Sequence, residues 1–152
     1  MLLFRIAKKG YIRDLSGAGA RLYGGRWNHK GASILYTSET RALSILEYLV
    51  HVDFTNLPTD LGIATLKAPD DLPLVEIAPS VLPTHWRDWP PPEALADIGT
   101  QWALSRQSLL LRVPSSVVDK EFNVLINATH PDIRRITIIN TEDYRFDERL
   151  SP

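Results

Sequence analysis

The sequence predicts a mixed α+β domain, rich in strand, with two good helices. Three observations carry this. Short β-branched and aromatic runs bounded by Gly, Pro, Asn or Asp recur along the chain. Two longer stretches instead repeat apolar residues at helical spacing. At 152 residues, 44% apolar and 23% charged, the chain can enclose one core without staples, so a single domain over residues 1–152 is expected.

Taken in order, "LLFRIA" (Leu2–Ala7) reads as the first strand. "LSGAGARLYGG" holds four glycines in eleven residues and is expected to be loop, with backbone free to lie against a ligand. "ASILYTS" alternates weakly, yet its β-branched and aromatic content favours a strand ending near Tyr36. Then comes "TSETRALSILEYLVHV", with Thr37 or Ser38 as N-cap and Glu39 in the first turn. Ala42, Ile45, Leu46, Leu49 and Val50 give it a buried face. Leu43, Glu47 and His51 follow one another a turn apart along the edge of that face, which sets Glu47 where core meets cavity or solvent.

"LGIATLKAP" (Leu61–Pro69) and "LPLVEIA" (Leu72–Ala78) read as strands. A proline-rich loop containing "WPPPEAL" follows, and Pro92 suits the first turn of a helix running to about Arg106, with Leu95, Ile98 and Trp102 inward. "SLLLRVP" (Ser108–Pro114), "NVLIN" and "RRITIIN" (Arg134–Asn140) complete the strands.

Bulk chemistry excludes several classes. A net charge of -1, from 17 basic and 18 acidic residues, makes no electrostatic case for a nucleic-acid or membrane partner. Without cysteine there is no disulfide scaffold, thiolate metal site or cysteine nucleophile. The opening "MLLFRIAKKG" is too short and too charged for a signal peptide, so a cytoplasmic protein is expected. His29, His51, His85 and His130 lack metal-ligand spacing, and no metal is expected. P-loop, G-x-G-x-x-G, H-E-x-x-H and G-x-S-x-G signatures are missing as well.

Three local features invite a functional reading. In Gly24-Gly25-Arg26-Trp27-Asn28 the glycines permit close approach of a ligand, and a guanidinium held there can grip phosphate. The same residues suit an ordinary tight turn. Glu47, beside an apolar stripe, can stabilise a cation or act as acid or base; on residues alone, an exposed flank position explains it better. "VPSSVVDKEFNVLINATHPD" (Val113–Asp132) supplies uncharged donors and acceptors, including Ser115, Asn123, Asn127 and His130, fit for amide or ribose recognition or for turn chemistry. Trp27, Trp86, Trp89 and Trp102 carry the largest apolar areas, and any of them can wall a base-stacking pocket.

These blocks occur together and in order. "GAGARLYGGRWNHKGASILYTSETRALSILEYLVH", then "LLLRVPSSVVDKEFNVLINATHPD", then the terminal "FDERL" resemble the RES domain, a family named for an arginine, a glutamate and a serine. The likeness runs from Phe4 to Leu150. It implies an ADP-ribosyltransferase-like (diphtheria-toxin-like) fold, with a split β-sheet core around an NAD cleft flanked by helices. It also implies a toxin of a toxin–antitoxin pair, silenced by an Xre-type helix-turn-helix antitoxin to which any DNA binding would belong.

By motif, the arginine falls on Arg26, the glutamate on Glu47 and the serine on Ser115, with Ser116 adjacent; Tyr36 and Asn123 match the family's strand tyrosine and following asparagine. Ala128 stands where the family usually has proline, and Asp119 where proline is frequent. The implied activity consumes NAD at the nicotinamide–ribose bond, by hydrolysis or phosphorolysis. Arg26 would clamp the pyrophosphate, Tyr36 would stack on or shape the nicotinamide pocket, and Ser115 and Asn123 would bond the ribose or carboxamide. Glu47 would offset the cation developing at the ribose carbon. Two alternatives remain: a mono-ADP-ribosyltransferase modifying a protein, and a non-catalytic NAD-binding module.

Overall fold

In the computed structural model, which describes residues 1–151, every strand falls on one of the expected runs. They are β1 (Leu2–Lys8), β2 (Ile34–Ser38), β3 (Leu61–Lys67), β4 (Leu74–Glu76), β5 (Leu110–Pro114), β6 (Phe122–Asn127) and β7 (Thr137–Tyr144). They form a seven-stranded sheet in the order β4-β5-β6-β2-β1-β3-β7. All neighbours are antiparallel except the β4–β5 pair.

The sheet is split at its middle. β1 pairs with β3 along its whole length, from Leu2↔Lys67 to Lys8↔Leu61, and β2 pairs with β6 from Ile34↔Asn127 to Ser38↔Asn123. Between β1 and β2, by contrast, the register holds one pair, Phe4↔Ser38. Two sheet halves therefore meet at a seam, as the resemblance implied. Both faces of the second half carry a core. Leu35, Leu110, Val124 and Ile126 join one cluster with Leu3, Ala64 and Leu66. The alternate residues Ile34, Leu111, Val113 and Leu125 join another with Trp27, Trp86, Leu95 and Trp102. Alternation along a strand divides the side chains between faces, and here both faces are covered.

Among the described residues, three α-helices complete the architecture: α1 (Ala18–Tyr23), α2 (Arg41–Leu49) and α3 (Glu93–Ser105). α1 corrects the expectation of loop across "LSGAGARLYGG". Gly17 at φ 70° and Gly24 at φ 73° bracket it, and the residues between are mostly good helix formers. In α2 the N-cap is Thr40 rather than Thr37 or Ser38, its hydroxyl accepting from the Leu43 amide at 3.0 Å. Thr37 and Ser38 are still strand, and Glu39 precedes the cap.

The buried face of α2 is also turned from the expected one. Leu43, Ser44 and Leu49 are buried, while Ala42 and Val50 are exposed. α2 contacts both β1 and β2 across the seam, and that docking turns the Leu43–Glu47 row inward. In α3, Pro92 is the N-cap and Glu93 opens the helix, slightly later than expected. Gly99 lies at its closest approach, where an added Cβ would stand 1.8 Å from the Trp27 carbonyl oxygen. Toward the end, Pro131–Arg135 form a 3-10 turn instead of the start of a strand, and β7 continues through Tyr144.

Candidate functional site: a cleft at the seam of the sheet

Where β1 and β2 part, a cleft of about 1100 Å³ opens. Phe4, Arg5 and Ile6 line it from β1, and Tyr36, Thr37 and Ser38 from β2. Glu47 and His51 descend from α2 and the residues after it, and Gly25 and Arg26 come from the glycine turn. Arg87, Trp89, Ser116 and Asn123 close it from later loops and β6. The sequence-predicted arginine, tyrosine, glutamate and asparagine thus share one hollow.

Glu47 is held from below. Its Oε1 accepts from Ser115 Oγ at 2.6 Å and from Asn123 Nδ2 at 2.6 Å. Asn123 is oriented in turn by Ser38 Oγ, which donates to its Oδ1 at 2.6 Å. The Ser115 hydroxyl also accepts from the Val117 and Val118 amides, both at 3.0 Å. That serine is 1% exposed, so its hydroxyl is committed to Glu47 and to its own turn; the neighbouring Ser116 is the serine that lines the cleft. Both side-chain bonds to Glu47 fall on one oxygen. Among the described residues Oε2 takes none.

Arg26 lies in the same field. Its Nη1 donates to the Trp86 carbonyl at 2.7 Å and its Nη2 to the Asp88 carbonyl at 3.2 Å. Burial pushes the guanidinium below its ordinary value, with Glu47, Tyr36 and Asp88 opposing that shift. An arginine starts so high that it remains charged. It therefore ties the loop before α3 to the glycine turn while lining the cleft.

The turn itself is built around Tyr36. The phenol donates to Asn28 Oδ1 at 2.6 Å and accepts from the Trp27 amide at 3.0 Å. Burial raises the Tyr36 phenol well above its usual value, so it stays neutral. Asn28 is 1% exposed, and its amide donates to the Ala20 and His29 carbonyls, each at 2.9 Å.

Arg5, Arg87 and Trp89 also belong to the cleft; Trp89 was one of four tryptophans the sequence offered as a pocket wall, whereas the sequence reading passed over Arg5 and Arg87. Arg5 sits in an apolar strand, a charged residue out of place; that was the available signal. Its Nη1 donates to the Ile12 carbonyl at 2.9 Å, and burial lowers its pKa. Arg87 pairs with Asp119 at 2.6 Å and stacks over the Trp86 ring at 4.7 Å. Away from the seam, His29, Glu93 and Asp97 bring ligand atoms within 4.8 Å of one another, a group that can hold a cation. Histidine spacing gave no hint of it, because packing of α3 on the Asn28–Lys30 turn creates it. No helix among the described residues is long and apolar enough to cross a membrane.

Known proteins resemble this chain along its length. It is 40% identical over 139 residues to the Prs ADP-ribosylating toxin of Sphingobium sp., covering 90% of this chain and 86% of that one. It is 36% identical over 152 residues to Toxin Res of Yersinia enterocolitica, covering 99% of both. Among solved structures, the M. tuberculosis MbcT-MbcA toxin-antitoxin complex contains a chain that superposes with a TM-score of 0.72 at 16% identity, over 94% of this chain and 83% of that one. That likeness establishes a shared fold. Residues 2–147 match the RES domain, and with these full-length relatives the chain belongs to the RES domain family.

Proposed function

We propose that this protein is the toxin of a toxin–antitoxin pair and that it depletes NAD by cleaving the nicotinamide–ribose bond. Its relatives bear the names Toxin Res and ADP-ribosylating toxin. The observation that carries the chemistry is Glu47: a carboxylate fixed through one oxygen by Ser115 and Asn123, at the floor of a cleft with room for a dinucleotide.

Breaking a nicotinamide–ribose bond builds positive charge on the ribose carbon, as glycoside cleavage does. A prepositioned carboxylate stabilises that charge without reorganising at the moment of reaction, and partial exclusion of water strengthens the attraction. Ser115 and Asn123 hold Oε1, so Oε2 is the oxygen available to the ribose. Arg26 supplies positive charge for the diphosphate, and Tyr36 forms a neutral wall of the nicotinamide pocket. Nicotinamide leaves as a neutral base, so the reaction needs no strong general acid. The attacking species is water or phosphate. The partner would be an Xre-type helix-turn-helix antitoxin, and NAD cleavage would take place in the cytoplasm.

A second reading has specific support, because a 40% identical relative is named an ADP-ribosylating toxin. In it the same cation is captured by a protein side chain. Incubation of the protein with labelled NAD and cell lysate separates the two: free ADP-ribose products mean depletion, and a labelled protein band means transfer. Glu47→Gln keeps size and an acceptor oxygen while removing charge. It should reduce NAD cleavage by roughly 10²–10³-fold with an unchanged melting profile. Full turnover by the folded variant would remove Glu47 from the mechanism.

A further inference from the structure

Of the four tryptophans, three are buried: Trp27 at 2%, Trp86 at 6% and Trp102 at 6% exposure. Trp89 is 69% exposed, and it lines the cleft. Across from it stands His51, with ring centroids 5.1 Å apart and planes inclined at 57°. The tilt keeps the rings from covering one another, so most of the indole face is open. Nothing in folding favours leaving so large a ring in water, whereas a flat heterocycle laid against it gains stacking.

The position of this pair is fixed from both sides. His51 follows Glu47 by four residues, one turn further along and just past α2, about 6 Å of helical rise. Trp89 belongs to the segment whose Trp86 and Asp88 carbonyls are held by Arg26, and Pro90, Pro91 and Pro92 behind it restrict the backbone. The arginine thus anchors the loop that presents the indole.

We propose that Trp89, with His51 opposite, is the stacking subsite for the second base of the dinucleotide, a purine. This rests on the reading of the cleft as a nicotinamide–ribose-cleaving site. There the bond that breaks must lie at Glu47, against Asn123 and the buried Ser115, and the nicotinamide ring must lie beside it on the Tyr36 floor. The remainder of the substrate extends toward the open rim, and the rim carries Trp89 and His51. Arg87, from the same loop, also lines the cleft, its guanidinium held by Asp119 and over the Trp86 ring.

Binding and turnover test this separately. ADP-ribose carries the purine and diphosphate but no nicotinamide, so its affinity by calorimetry does not depend on cleavage. Trp89→Ala should weaken ADP-ribose binding about tenfold, the size of one lost base–aromatic stack, and Trp89→Phe should recover most of it. In turnover, the preference for NAD over nicotinamide mononucleotide, taken as the ratio of kcat/KM values, should fall about tenfold in Trp89→Ala. Unaltered ADP-ribose affinity in Trp89→Ala would overturn the proposal, as would equal losses on NAD and the mononucleotide. A wild-type protein that binds ADP-ribose through Trp89 yet releases no nicotinamide would instead sink the cleavage reading and leave the stacking subsite standing.

Discussion

At Gly25 a hydrogen stands where any other residue would place a carbon. An added Cβ would lie 2.7 Å from the Tyr36 hydroxyl and 3.0 Å from Asn28 Oδ1, the two atoms whose bond organises the turn. Gly25→Ala should therefore push Tyr36 off Asn28 and displace Arg26 with it. Overpacking of this kind destabilises by about 1–3 kcal/mol. The expected outcome is a lower melting temperature together with weakened NAD binding; an alanine variant with wild-type stability and affinity would show that the turn has slack. The paired glycines and the arginine were visible in the sequence. Their reason was not, because the atoms that forbid a side chain at Gly25 include those of Tyr36, eleven residues on. The same holds for Ser115, where motif position picked the residue but only its burial and its bond to Glu47 show what the hydroxyl holds.

At the scale of an element, α2 matters most, since it delivers Glu47 to the seam. Its first turn depends on Thr40, whose hydroxyl accepts from the Leu43 amide. Thr40→Ala should cost about 1 kcal/mol, which for a domain of this size lowers the melting temperature by about 2–4 °C. Turnover should fall as well, because the turn that frays leads to the carboxylate. Circular-dichroism melts with parallel activity assays check this, and unchanged stability would exclude the cap. The helix itself was plain from its periodicity, but the inner face was misplaced. "RALSILEYLV" offers overlapping apolar stripes, and periodicity alone cannot choose between them when the helix straddles two strands. Docking across β1 and β2 chose the stripe with Leu43, and so turned Glu47 toward the cleft. β7 shows a similar limit: at a sheet edge, polar "TEDY" pairs through backbone with β3, and side-chain character says little about it.

Across the whole molecule, the buried phenol of Tyr36 links stability to pH. Burial raises its pKa, so the folded protein keeps this proton after the unfolded chain has lost it. Folding is then penalised as the pH climbs past about 10, the ordinary phenol value. Urea denaturation at about pH 8 and about pH 11 should show lower stability at the higher pH. Tyr36→Phe should be less stable at the lower pH, having lost its bonds to Asn28 and Trp27, but should decline less steeply. Tyr48 and Tyr144, also raised by burial, would carry the remaining slope. A variant that declines as steeply as wild type would free Tyr36 of this role.

By itself, the sequence determined the α+β class, the places of the strands, the two longer helices and the ordered blocks that mark the RES family. These are local or collinear properties: side-chain alternation, helical period, proline and glycine positions, motif order. The tertiary structure decided the rest. It set the seam between β1 and β2 that makes a cleft, the rotation of α2 that aims Glu47, the burial of Ser115 and the exposure of Trp89 on the rim. Each of these depends on which surfaces of distant segments meet, and a linear pattern carries no such distance.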